Sequence, residues 1–234
     1  MAMTPSSYRT IAADAWGEVE DRGSRFRCRL VRTATEAEAR AVIDEQRRAH
    51  HDARHTCSVF ILGPDGRTER SNDDGEPAGT AGTPMLDVLR GSGYRDVTAV
   101  VTRWFGGTLL GAGGLVRAYG DAVRAALEDA QPLERRLVHE HLLTVDHADA
   151  GRVEHELRTA GLAVTGTDYA ERATLHIALS PGEEGRLAAV VASATAGEGV
   201  IVPGEERWVD RGLTVTADFL PDREQPEPQR RPWL

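Results

Sequence analysis

SNDDGEPAGTAGTPMLDVLRGSGYRDVTAVVTRWFGGTLLGAGGLVRAYG, residues 71–120, is the stretch that decides how this chain is read. Two glycine-rich runs inside it, 71–84 and 103–120, each lead straight into a segment of helical spacing, with a hydrophobic run from Val97 to Val101 between the two helices. Glycine admits positive φ and lets a partner come close to the backbone, while a helix N-terminus leaves N–H donors unpaired and adds a partial positive charge. The stretch therefore predicts a strand and two helices whose N-termini either pack tightly or face a ligand.

Within it, Thr83-Pro84 reads as a helix start, with Thr83 as N-cap, Met85, Leu86, Val88 and Leu89 as the apolar side, and GSG at 91–93 as the stop. Residues 113–130 read as a second helix carrying Leu115, Val116, Tyr119, Val123 and Leu127. Upstream, RFRCRLVR at 25–32 alternates Phe26, Cys28 and Leu30 with arginines, which predicts a strand with one buried and one basic face. Thr35 and Glu38 form a capping box for a helix to about His50, with Ala39, Val42, Ile43 and Ala49 inward, and Cys57 to Leu62 reads as a strand before the GPDG turn at 63–66. The order βαββαβα predicts a helix layer on one sheet.

Past Gln131-Pro132 a second unit reads LLTVD, GRVEHELRTAG, a weak strand at 163–169, TLHIAL, PGEEGRLAAVVASA with Ser180 as cap, and LTVTADF. That is the βαββαβ order of a ferredoxin-like domain, so the fold class is α+β. The expected division is an N-terminal segment at 1–20, a first domain at 21–133, a second at 136–220, and a proline-rich, charged, mobile tail at 221–234.

Composition removes several chemistries. All 28 basic residues are arginine, which excludes a Walker-A lysine, a Schiff-base lysine and a lysine general base. The formal net charge is −9; residues 1–135 hold 18 Arg against 20 acidic residues and residues 136–234 hold 10 against 17, which argues against a nonspecific polyanion binder while leaving room for a local basic patch. Cys28 and Cys57 lie in strand-like runs and read as reduced thiols, MAMTPSSYRT lacks a secretory apolar core, and no run is long enough to span a membrane, so the expectation is a cytoplasmic protein with no membrane partner.

Four groups of residues invite a chemical reading. Asp73, Asp74 and Glu76 suit either a hard cation or general base, or simply a solvated turn. Gly79 and Gly82 before the first helix make one candidate anion site, and Gly106, Gly107, Gly111, Gly113 and Gly114, with Arg103 nearby, make another; the alternative is tight helix–sheet packing. A dinucleotide pattern from Gly111 fails at Val116. His50, His51, Asp52, His55 and Cys57 lack clear third and fourth ligands for zinc, so no metal and no cofactor is expected. No nucleophile elbow is present and the catalytic residues are unknown, while of Trp104 and Phe105 one is expected in the core and the other as a stacking surface.

Three patches in order, HHDARHTC at 50–57, DDGEPAGTAG at 73–82 and VVTRWFGGTLLGAGGLVRAYG at 100–120, closely resemble those of the Impact/YigZ family. The resemblance implies a first domain similar to domain IV of elongation factor G and a second similar to its domain V. It makes His55, Asp73, Asp74, Glu76, Gly79, Gly82, Arg103, Gly106, Gly107, Gly111, Gly113 and Gly114 a ligand or partner surface. The leading expectation is a non-enzymatic, translation-linked protein binding RNA, the ribosome or a translation-associated protein. A protein acting on or binding a phosphorylated metabolite and a protein-interaction adaptor are the alternatives.

Overall fold

A computed structural model describes residues 5–211, which divide into two units between Arg135 and Arg136. The first holds β1 (Ser7–Ile11), β2 (Ala15–Asp21), β3 (Ser24–Arg32), α1 (Glu36–Ala49), β4 (His55–Leu62), β5 (Thr68–Asn72), α2 (Gly82–Ser92), β6 (Val97–Trp104) and α3 (Gly111–Asp129). Its antiparallel sheet has the order β2-β3-β6-β4-β5. Phe26, Cys28 and Leu30 on β3 are fully buried, as their alternation predicts.

That apolar face packs on α2 and α3 through Met85, Leu89, Leu115, Tyr119 and Val123. The opposite face is covered by α1, whose Ala39 lies on Phe60 and Leu62. Helices therefore cover both faces of the one sheet, where the sequence reading gives a single helix layer packed on it. The reason is legible in HTCSVFIL: a strand whose Cys57, Val59 and Ile61 face α2 and α3 while Phe60 and Leu62 face α1 needs cover on both sides. Within α1, Gln46 is buried and Ala49 exposed, a shift of the inner face from the one expected.

Two strands precede β3 where the sequence reading sees only an N-terminal segment. β2 and β3 form a hairpin closed by Arg22 and Gly23, both at positive φ (47° and 78°), as a two-residue turn between twisted strands requires. Gly17 lets α3 lie against β2, because a Cβ there would stand 2.3 Å from the Ala126 nitrogen.

The capping box on α1 forms as expected: Thr35 Oγ1 accepts from Glu38 N–H at 3.2 Å, and the Glu38 carboxylate accepts from Ala34 N–H at 2.6 Å. For α2 the expected cap is displaced. The helix starts at Gly82 with Ala81 in the cap position, so Thr83 lies inside it and caps nothing.

The second unit contains β7 (Pro132–Val145) from Arg136 on, α4 (His147–Thr159), β8 (Ala163–Tyr169), β9 (Ala173–Leu179), α5 (Glu184–Ala194) and β10 (Val200–Arg211). Strands β7, β9 and β8 follow one another and β10 pairs β7, with Leu143, Val153, Leu157, Leu175, Ile177, Leu187 and Val191 in the core. The βαββαβ order is present, with β10 supplying its last strand. LTVTADF and the 221–234 tail lie outside the described residues. The cap position of α5 is Glu183, whose carboxylate accepts from Ser180 N–H at 2.9 Å, so Ser180 is donor here and not cap. No helix among the described residues is long and apolar enough to cross a membrane.

Candidate functional site

Asp73 fills the first candidate anion site with the chain's own carboxylate. Its Oδ2 accepts from Gly79 N–H at 2.8 Å, and its Oδ1 accepts from Ala81 and Gly82 N–H at 3.1 and 2.7 Å. Burial pushes the Asp73 carboxyl up, but the N–H donors of Gly79, Gly82 and Ala81 outweigh it and hold the group below the ordinary range. Gly79 takes φ +77°, and a Cβ on Gly82 would press on Ser71 and Asn72 at 3.1 and 3.2 Å. The N-terminus of α2 is thus an internal cap, which corrects its reading as an open anion site.

Its neighbours turn the other way. Asp74, at φ +44°, accepts from Arg47 at 2.8 Å and from Thr56 N–H at 2.7 Å. Glu76 is buried, and its Oε1 accepts from Arg103 Nη1 at 2.6 Å and from the Tyr119 hydroxyl at 2.8 Å. His55 Nδ1 lies 2.9 Å from the Asp74 carbonyl, which makes it the protonated nitrogen, and Nε2 stands 3.8 Å from Glu76 Oε1. The Cys57 thiol donates to the Asp73 carbonyl at 3.1 Å and lies 3.3 Å from the Tyr119 hydroxyl. Burial pushes this thiol up to about 12, the Tyr119 bond opposing and the carboxylates of Glu76, Asp74 and Asp73 adding to it. A thiol so held stays protonated and is no nucleophile at neutral pH.

The second glycine run divides by role. Gly106 is a packing glycine: a Cβ on it would stand 1.9 Å from the Gly23 carbonyl carbon, and its N–H donates to Ser24 Oγ at 3.1 Å. Gly107 and Gly111 take positive φ, 89° and 71°, while Gly114 is buried against Leu110. Gly113 faces open space. Leu110 occupies the cap position of α3, and no side chain among the described residues caps the helix.

His55, Glu76, Arg103 and Gly111 line one cleft of about 350 Å³, together with Arg54, Pro77, Phe105, Leu109 and Leu110. The structure thus brings His55, Glu76 and Arg103 to the start of α3, while Asp73 and Asp74 brace the chain behind them. Trp104 is half-buried and Phe105 exposed, so neither sits in the core where one of them was expected.

A further surface combines the arginine face with a residue that sequence reasoning missed. Arg25 lies over the Trp104 ring at 4.2 Å and Arg27 over the Trp16 ring at 4.5 Å. His50 stands edge-on to Trp104, and Asp52 accepts from the indole N–H at 2.8 Å. Arg29 on the same face is taken by Asp14 and Glu45. Burial above all, and then Arg27 and Arg25, lower the His50 imidazole, with Asp52 opposing. Trp16 was discoverable from AWGEVEDRGSRFRCRL, where DRGS joins two alternating runs and sets Trp16 beside the arginines.

Comparison with known proteins places the chain. The family model described as Impact N-terminal domain matches residues 22–127, and a domain of unknown function, DUF1949, matches residues 143–198. The chain is 36% identical over 207 residues to the IMPACT family member YvyE of Bacillus subtilis (strain 168), covering 88% of this chain and 95% of that one. It is also 36% identical over 189 residues to the IMPACT family member YigZ of Escherichia coli (strain K12), covering 80% and 93%. A crystal structure described only as that of a hypothetical protein superimposes with a TM-score of 0.62 at 34% identity, covering 86% of this chain and 98% of the other. With both domains matched in order and the cleft formed by the residues of its three patches, the chain belongs to the IMPACT family.

Proposed function

We propose that this chain is a non-enzymatic, translation-linked binding protein whose first unit contacts RNA, free or in the ribosome. The observation that carries the reading is the stacking of Arg25 on Trp104 and Arg27 on Trp16. Among the described residues neither guanidinium has a carboxylate within ion-pair distance, in a chain of net charge −9. Indole and guanidinium planes offer faces for unpaired bases, and the guanidinium edges offer donors for phosphates. Glu18 and Glu20 stand opposite Arg27 and Arg25 in the β2–β3 register, so stacking contributes alongside charge.

The same reading treats the two units, with limits near 21–133 and 136–220, as counterparts of elongation factor G domains IV and V. The βαββαβ order of the second, with β10-β7-β9-β8 neighbours, supports a ferredoxin-like assignment. Two buried free thiols fit a reducing, cytoplasmic setting.

The test is binding of the full chain to ribosomes, tRNA and an unstructured RNA over a salt series, read by tryptophan fluorescence and anisotropy. Salt-sensitive binding is expected, weakened about tenfold or more when Arg25→Gln and Arg27→Gln are combined. Absence of salt-sensitive binding to all three RNAs removes the reading.

A further inference from the structure

The cleft at the start of α3 is a separate site, and we infer that it binds a small molecule made of an anionic oxygen head, carboxylate or phosphate, on an apolar body. Three observations converge on that chemistry. The first is the uncapped N-terminus of α3: Leu110 holds the cap position without a side-chain bond, and Gly111 and Ala112, both exposed, line the cleft. Four N–H groups at a helix start lack partners within the helix, and they favour negative charge. The corresponding position on α2 is filled by Asp73; on α3 no side chain among the described residues does this.

The second observation is independent of the helix. Arg103 lines the cleft at 6% exposure, and among the described residues its guanidinium has a single acceptor, Glu76 Oε1 on Nη1, while Nε has none. A guanidinium carries five N–H donors, so a buried one with one acceptor is under-satisfied. The same Glu76 oxygen also accepts from the Tyr119 hydroxyl. Nε is sealed from solvent, whereas Nη2 is neither sealed nor bonded among the described residues, so it is the donor an anion entering the cleft meets. Arg54 adds a second positive charge on the rim, where it lies over the Phe105 ring at 5.7 Å and has no carboxylate partner among the described residues.

The third observation selects the body of the ligand. Around this charged floor stand Phe105 at 41% and Leu109 at 80% exposure, with Leu110 and Pro77 beside them. Exposed side chains of this size at a cleft mouth suit a flat or aliphatic group, and a cavity of about 350 Å³ has room for one ring and its acid. The site is distinct from the Arg25–Trp104 face, which does not line this cleft.

The test uses the full ¹⁵N-labelled chain titrated with phenyl phosphate, phenylacetate, inorganic phosphate and benzyl alcohol at millimolar concentration. Saturable shifts are expected at the amides of 111–114 and at Phe105 with phenyl phosphate, phenylacetate or both, the pair telling the two heads apart. Inorganic phosphate and benzyl alcohol are expected to bind at least about tenfold more weakly, each lacking one half of the recognition. Ala112→Asp puts a carboxylate in the first turn, a position that favours the helix, and is expected to abolish these shifts with the fold retained. Arg54→Gln, on the exposed rim, is expected to weaken both anions about tenfold and serves if Ala112→Asp fails to fold. No saturable shift at 111–114 with either aromatic anion, equal response to benzyl alcohol, or undiminished binding by Arg54→Gln overturns the proposal.

Discussion

Glu76 and Arg103 meet through a single bond of 2.6 Å, Nη1 to Oε1, with both side chains buried and the Tyr119 hydroxyl on the same oxygen at 2.8 Å. One carboxylate oxygen thereby ties the loop before α2 to β6 and α3. Removing one partner of a buried ion pair leaves the other uncompensated. Glu76→Gln is expected to lower unfolding free energy by about 3–5 kcal/mol and Tyr119→Phe by about 1.5–3 kcal/mol, measured by urea denaturation. A neutral Tyr119→Phe would mean the hydroxyl bond contributes nothing to the fold.

Asp73→Asn replaces a carboxylate that receives three backbone N–H groups, and a loss of about 1–3 kcal/mol at neutral pH is expected. The sign of its pH dependence follows from the lowered carboxyl of the folded chain. The stabilisation is fully present above the unfolded value of about 3.9 and is lost as pH falls through the lower folded value. Urea midpoints of wild type and variant should therefore converge as the solution is acidified below about pH 4. A gap that stays constant with pH excludes this role for Asp73.

Cys28 and Cys57 are both free and buried, with burial pushing both thiols up, Cys57 to about 12. The folded chain is expected to leave a disulfide probe unreacted at about pH 8, and the denatured chain to release two equivalents. Because the unfolded thiol ionises near 8.5, the Cys57 contribution to stability is complete below that value and falls as pH rises towards the folded one. Rapid labelling of the native chain would contradict the burial.

Glycines of one run should respond in opposite directions. Gly106→Ala forces a Cβ to within 1.9 Å of Gly23 and is expected to cost about 3 kcal/mol or more, whereas Gly113→Ala, with open space around it, is expected to be neutral or to gain up to about 1 kcal/mol. Thermal melts of the two variants measure the difference.

Local patterns were readable wherever one residue type meets one physical demand. Period-two arginines located β3, Thr35 and Glu38 located the start of α1, and Gly93 at φ +74° ends α2 inside the expected GSG. What escaped depends on partners distant in sequence. Thr83 looked like a cap because the true capping group, Asp73, lies outside the local window of residues that normally cap a helix. The second helix layer was hidden because a strand buried on both faces shows no alternation. Of the residues that line the cleft, the sequence reading named His55, Glu76, Arg103 and Gly111 but not Arg54, Pro77, Leu109 or Leu110, and the use of Asp73 as an internal cap and the pairing of Trp16 with Arg27 required the fold.

The turn at 73–75 sets a constraint on chain length more than on composition. Adjacent residues there serve different elements: Asp73 holds the start of α2, and Asp74 holds Arg47 of α1 and Thr56 of β4. Asp74 and Gly75 both sit at positive φ, so the two carboxylates diverge within one peptide step. An isosteric replacement at either position loses one set of bonds and leaves the other in register. A single inserted residue separates the two attachments, so insertions and deletions between Asn72 and Gly79 should be far less tolerated than in the GPDG turn at 63–66.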